Sequence, residues 1–140
     1  DESDGELNQL KQAQPDLFYN VIEVDKVTNH EYYLAISNVL CLPSYREGFG
    51  SIVIDAAASR VPTIGSDIVG LVDSIVDGIT GILFPPGDLI MLERAMVLMI
   101  EDPRFCLKLG NAAKERAIAF FTADILYESL KVFFHFFLKH

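Results

Sequence analysis

The stretch from Val39 to Gly65 narrows the possible folds more than any other part of this chain. Val39-Leu40-Cys41-Leu42 has no polar alternation and is closed by Pro43-Ser44, the pattern of a strand buried on both faces of a parallel sheet. A loop from Ser44 to Gly50 follows. Ile52, Val53, Ala56 and Ala57 then recur at helical spacing as far as Arg60, and Val61-Pro62-Thr63-Ile64-Gly65 reads as a second short apolar strand. Strand, glycine-bearing loop, helix and strand in this order predict an α/β layer built on parallel strands.

The rest of the chain extends that unit in both directions. Glu6 to Gln14 reads as a short polar helix, Asn20 to Val24 as a β-branched strand ending at Asp25-Lys26, and His30 to Ser37 as a helix carrying Tyr32, Tyr33 and Ile36. Leu71 to Val76 reads as a short helix ended by the turn Asp77-Gly78, and Ile79 to Phe84 as a strand stopped by Pro85-Pro86-Gly87. Asp88 caps a helix through Ile100 with an apolar stripe of Leu92, Ala95, Met96 and Met99. Asp102-Pro103 opens another, running through Leu107, Leu109, Ala113, Ala117 and Phe120, and Thr122 caps the last, from Ala123 to about Leu138. The strands centred near Ile22, Leu40, Thr63 and Leu83 fall short of the five or six of a doubly wound sheet. With a start at Asp1 rather than methionine, the expectation is that residues 1–140 form one partial domain, preceded by at least one further strand.

Charge and cysteine content exclude several classes of function. Eleven Lys and Arg against 20 Asp and Glu give a formal charge of −9, and the basic residues are scattered, so no continuous stripe could neutralise a nucleic-acid backbone. Cys41 and Cys106 lie far apart in apolar surroundings, as two buried thiols of a protein from a reducing compartment. No run reaches the roughly 18 apolar residues of a membrane span, and Asp1 to Gly5 is acidic where a signal peptide is basic. The expected location is the cytoplasm.

Ligands of an open parallel sheet bind beyond the carboxyl ends of its strands, which directs attention to Tyr45-Arg46-Glu47-Gly48-Phe49-Gly50. Gly48 and Gly50 allow the backbone to approach a ligand, and the helix beginning at Ser51 offers free N–H groups and the positive end of its dipole, a combination suited to a diphosphate. The plainer reading is a tight strand-to-helix turn with Phe49 in the core. A carboxylate beside an anion-binding turn repels phosphate, so Glu47 points to a neutral, hydroxyl-bearing group such as a sugar. Asp55, eight residues on, is placed either to accept from a ribose diol or simply to be solvated. A dinucleotide-binding dehydrogenase domain is the main rival, since Gly48, Gly50 and Asp67 imitate its fingerprint, but Val53 occupies the place of the third glycine. A non-catalytic α/β interaction module is the third reading.

Several ordered motifs then resemble one family. Pro43-Ser44-Tyr45-Arg46-Glu47-Gly48-Phe49-Gly50, Ile54-Asp55-Ala56-Ala57-Ala58, Val61-Pro62-Thr63-Ile64, Ser66-Asp67-Ile68-Val69-Gly70 and the run from Val76 to Asp88 look like the C-terminal half of the family four, or group 1, glycosyltransferases with a GT-B fold. His30-Glu31-Tyr32-Tyr33 is similar to members that build bacterial capsule, O-antigen and exopolysaccharide chains. The resemblance implies a Rossmann-like parallel sheet flanked by helices, and a retaining transfer of sugar from a UDP- or GDP-sugar to a hydroxyl of a glycan or lipid-linked acceptor, without a metal or other cofactor. Carried over, Glu47 is the catalytic acid and holds the donor sugar, Gly48, Phe49, Gly50 and Ser51 meet the sugar and diphosphate, Asp55 holds the ribose, and Arg46 is a candidate phosphate contact. The Arg and Lys with which the family clamps the diphosphate are expected before Asp1, and the acceptor domain outside this chain, so that the chain alone is expected to be inactive.

Three positions depart from the family pattern. Asp55 stands for the usual Glu and is one methylene shorter, Arg60 stands where Gly is common, and Asp73 stands where Glu is common. His30 has no evident partner acid and is assigned a capping or surface role. The run Val132-Phe133-Phe134-His135-Phe136-Phe137-Leu138 is apolar around most of a helix, which predicts cover from another domain, with peripheral contact at the inner membrane as the alternative.

Overall fold

A computed structural model describes residues 2–137, an α/β arrangement in which three parallel strands lie between helices. In chain order the elements are α1 (Glu2–Ala13), a 3₁₀ turn (Pro15–Phe18), α2 (His30–Ile36), β1 (Leu40–Leu42), α3 (Ser51–Ala58), β2 (Thr63–Ser66), β3 (Gly81–Phe84), α4 (Leu89–Glu101), α5 (Pro103–Phe120) and α6 (Ala123–Phe137). The sheet order is β1-β2-β3, with Leu40 opposite Thr63 and Thr63 opposite Gly81. β2 is central and wholly buried, including the hydroxyl-bearing Thr63 and Ser66.

Alternation along the strands divides the core between two faces. Ile64, Ile82 and Phe84 pack with Ala95 and Met99 of α4 and Cys106 and Leu109 of α5. Leu42 and Leu83 belong to the other side, with Val53 of α3, Leu71 and Ile75. Leu34 of α2 joins Ala56, Val61 and Leu40, which seats α2 on α3. The two caps read from the sequence are formed: Asp88 Oδ1 accepts from the Met91 N–H at 3.0 Å, and Asp102 Oδ1 from the Phe105 N–H at 2.9 Å. Thr122 Oγ1 accepts from Ile125 N–H at a longer 3.5 Å.

Four expectations need correction. Asn20 to Val24 is not a strand: Val21, Ile22 and Val24 are exposed, and the segment is tied instead to α1 by the Lys11–Glu23 ion pair. A β-branched run becomes a strand only with a ladder partner, and the sheet offers none beside it. Leu71 to Val76 is a series of turns rather than a helix. Ile68 O accepts from Leu71 and Val72, and Leu71 O from Ser74 and Ile75, so the bonds restart instead of propagating. The burial of Leu71, Ser74 and Ile75 still has helical spacing, which is what the sequence pattern registered.

β1 is an edge strand among the described residues, with Leu40 and Leu42 half-buried and Cys41 exposed, so neither the doubly buried strand nor the pair of buried thiols holds. Cys106 is buried, and its Sγ donates to Asn38 O at 3.5 Å. Within the helical stripes Ala95, Met99, Leu109, Ala113 and Ala117 are buried, whereas Met96, Leu107 and Phe120 face outward. In α6, Val132 and Phe134 are exposed; the side chains of Phe133, Phe136 and Phe137, and all of Leu138, lie outside the described part. Among the described residues no helix is long and apolar enough to cross a membrane.

Candidate functional site

The loops leaving β1, β2 and β3 meet at the carboxyl edge of the sheet. Gly70, with φ of +98°, lies so close to the first of these loops that a Cβ there would strike the carbonyl oxygens of Gly48 and Glu47. The Tyr45 ring lies against Gly87 of the third, where a Cβ would come 3.3 Å from Tyr45 Oη. This is the edge at which parallel sheets bind ligands.

The first loop turns into α3 through Gly50, which is buried at φ +65° and ψ +50°. Only glycine takes that left-handed conformation without strain, and an added Cβ would meet Leu71 Cδ2 at 2.7 Å. Because residue 50 has no side chain, α3 begins with no side-chain cap and no acid in its first turn. Val53 N–H already donates to Gly50 O at 2.8 Å, which leaves the amides of Ser51 and Ile52 available to an anion, and the helix dipole adds roughly 0.3–1 kcal/mol of preference for negative charge. Phe49 is not a core residue. It is about half exposed and packs edge-on against Phe121, with ring centroids 5.5 Å apart.

Glu47 is half-buried, and its Oε1 accepts from Ser44 Oγ at 2.8 Å, which closes the loop and orients the carboxylate. Arg46 is exposed and makes no hydrogen bond or ion pair among the described residues. Ser51 and Asp55 are four residues apart on α3 and share one face, exposed to solvent. Asp55 is not simply solvated, however. Its Oδ2 lies 2.9 Å from His30 Nε2 on the first turn of α2. His30 lies at the start of α2 and partly at the surface, as expected, but the expectation that it has no partner acid is corrected: Asp55 is that acid, 25 residues away in sequence. Asp67 is exposed, and its N–H is used by Phe84 O at 2.7 Å.

Arg116 is the residue that sequence reading missed. Its Nη2 donates to Asp73 O at 2.9 Å, and its guanidinium carbon lies 5.2 Å and 5.5 Å from the ring centroids of Phe120 and Phe121. Through Phe121 and Phe49 it links the far end of α5 to the glycine-bearing loop, and through Asp73 it anchors the turns after β2. Nothing in a local sequence pattern signals an arginine on a long helix as a support for a loop so distant in the chain.

The family model of the glycosyl transferases group 1 matches residues 16–116. The chain belongs to the group 1 glycosyl transferases. Among curated group 1 proteins, it is 30% identical to the capsular polysaccharide biosynthesis glycosyltransferase CapM of Staphylococcus aureus, over 86% of this chain and 32% of CapM. Among solved structures, sucrose-phosphate synthase from Thermosynechococcus elongatus superposes with a TM-score of 0.83 at 31% identity, covering 96% of this chain and 34% of that one. Anabaena HepE in complex with UDP shares the fold, with a TM-score of 0.83 at 18% identity over 92% and 36% of the two chains. The group 1 chain thus spans about a third of the length of these proteins and corresponds to their C-terminal, Rossmann-like GT-B half, as the sequence motifs implied. This membership displaces the dehydrogenase reading. Val53, where that fingerprint needs glycine, is a core residue packed against Leu71 and Ile75.

Two of the departures from the family pattern acquire a physical account. Arg60 follows α3 at φ +62°, where glycine is the unstrained residue. Its N–H bonds Ala57 O and the next, that of Val61, bonds Ala56 O, both at 2.9 Å, which is a Schellman ending. Asp73 acts through its carbonyl on Arg116, a role that does not depend on the length of its side chain.

Proposed function

We propose that this half holds a nucleotide diphosphate sugar at the carboxyl edge of the sheet, and that the whole enzyme transfers the sugar with retention to a hydroxyl of a glycan or lipid-linked acceptor. The observation that carries the reading is the uncapped amino end of α3, opened by Gly48-Phe49-Gly50 between the two carboxylates of Glu47 and Asp55. The leaving diphosphate gains negative charge in the transition state. Amides held in place at a helix start stabilise that gain more than they stabilise the bound donor. Glu47, oriented by Ser44, faces the sugar hydroxyls, Ser51 and the amides from Gly48 to Gly50 face the sugar and diphosphate, Asp55 takes the ribose, and Arg46 is a candidate phosphate contact.

The UDP bound by HepE makes UDP the first nucleotide to test, with GDP second. The name of CapM supports polysaccharide biosynthesis, and a cytoplasmic site of action follows for an enzyme using nucleotide sugars. Calorimetric or NMR titration with UDP, GDP, ADP and NAD is the direct test, comparing the chain with its Glu47→Ala and Asp55→Ala variants. One diphosphate should be preferred over NAD and should weaken when Asp55 is removed. Tighter binding of NAD, or no binding of any diphosphate by the full-length enzyme that carries the expected Arg and Lys, would refute the reading. The chain alone should show no sugar transfer above background.

A further inference from the structure

Asp55 differs from a carboxylate left to solvent. One of its oxygens, Oδ2, is engaged by His30 Nε2 at 2.9 Å, while Oδ1 has no partner among the described residues and remains on the face of α3 that also carries Ser51. His30 in turn is not consumed by the start of α2. The residue before it, Asn29, occupies the cap position without a side-chain bond to the helix, and Asn29 Oδ1 accepts from Thr28 Oγ1 at 2.6 Å. The His30 imidazole is therefore directed across the α2–α3 contact rather than along its own helix. That contact is set by Leu34 packed against Ala56 and Ile52, so the position of the imidazole is determined by buried neighbours, although the ring itself is about half exposed.

The chemistry of the pair is directional. An ionised carboxylate only accepts, so Nε2 carries the proton of this bond. A side chain held by one such bond has lost rotamer freedom before any ligand arrives, and a ligand that then bonds the remaining lone pairs need not order it again. Asp55 is one methylene shorter than the glutamate that the family pattern leads one to expect, so it has less reach and gains more from being fixed.

We infer that His30 is a positioning residue for nucleoside recognition: it holds the Asp55 carboxylate so that Oδ1 and the open lone pair of Oδ2 receive the two hydroxyls of a ribose diol. This rests on the proposed donor site, since it specifies how that site distinguishes a ribonucleotide. A bond that serves only to tie α2 to α3 would affect all nucleotides alike. One that orients Asp55 affects only those that carry the diol.

The test compares UDP with 2′,3′-dideoxy-UDP, and GDP with 2′,3′-dideoxy-GDP, by calorimetry on the full-length enzyme, unaltered and as His30→Ala, His30→Gln, Asp55→Glu and the double variant His30→Ala/Asp55→Glu. The unaltered enzyme should prefer the ribonucleotide by at least about tenfold, the equivalent of one hydrogen bond or more. His30→Ala should lower ribonucleotide affinity to near that of the dideoxy form and leave dideoxynucleotide affinity unchanged. Gln at position 30 keeps an N–H donor and should recover most of the preference, and Glu at position 55 should restore it in the alanine background because its longer side chain needs no brace. An unchanged ribo-to-dideoxy ratio in His30→Ala, or equal loss for both nucleotides, overturns the inference alone. Failure of the unaltered enzyme to bind any of the four overturns the donor site and this inference with it.

Discussion

Replacing Arg60 by glycine should stabilise the protein, which is unusual for a substitution to glycine. Arg60 sits at φ +62° directly after α3, and the two bonds that end the helix, from its own N–H and from that of Val61, require this left-handed turn. A residue with a Cβ is strained there by roughly 1–2 kcal/mol. Glycine relieves that strain but gives the unfolded chain more freedom, which costs about 0.5–1 kcal/mol. The net expectation is a gain of about 0.5–1 kcal/mol, which for a chain of this size is roughly 2–4 °C in Tm. The turn itself has no room to relax, because α5 passes so close that a Cβ on Gly110 would strike the Arg60 carbonyl. Urea and thermal unfolding followed by circular dichroism measure the change, with Arg60→Ala as control. Alanine removes the same side chain and keeps the strain, so it should give no gain. If glycine is no more stable than alanine, the strain argument fails. Nucleotide affinity should not change in either variant, since Arg60 ends the helix whose opposite end forms the candidate site.

The remaining predictions concern the loop contact and the thiols. Gly70→Ala should lose more than about 2 kcal/mol, because it combines a φ of +98° with a collision against the Glu47 and Gly48 carbonyls, and it should weaken nucleotide binding by displacing the loop; unfolding curves and calorimetry measure the two effects, and an alanine variant of native stability would contradict the contact. Desolvation by surrounding protein atoms pushes both cysteine thiols above their ordinary value of about 8.5, Cys41 included although part of that residue is open to solvent. Cys41 borders an open groove of about 780 Å³ with Met96, Met99 and Ile100, whereas Cys106 is in the core cluster. Ellman's reagent should accordingly modify Cys41 in the folded protein and Cys106 only after denaturation. A raised value means that thiolate forms later as pH rises, so the Cys41 rate should still be increasing beyond pH 8.5, and a plateau below that pH would refute the desolvation.

The candidate site was legible in part. Gly48, Gly50, Glu47 and Asp55 were found from loop chemistry and spacing, because the residue types that open a helix to an anion are adjacent in sequence. The His30–Asp55 bond and the Arg116 support were not, since each joins elements whose separation along the chain carries no periodic signal. The departure at Arg60 was visible as a residue out of pattern, but its meaning required the backbone angle.

Local rules decided what each segment is when its neighbours in the chain suffice. The caps at Asp88 and Asp102 and the proline at the start of α5 determine their elements through bonds within a few residues. Tertiary structure decided everything that depends on a partner. Asn20 to Val24 carries strand residues and lies unpaired because a ladder needs a second strand beside it; Leu71 to Val76 carries helical spacing, yet its bonds restart at Leu71 and form turns. The sequence alone therefore specified an α/β half with an anion-accepting loop at its sheet edge. That His30 bonds Asp55, and that Arg116 supports the loop, followed from packing, because hydrogen bonds between separate helices exist only once buried contacts such as Leu34 on Ala56 have set the helices in place.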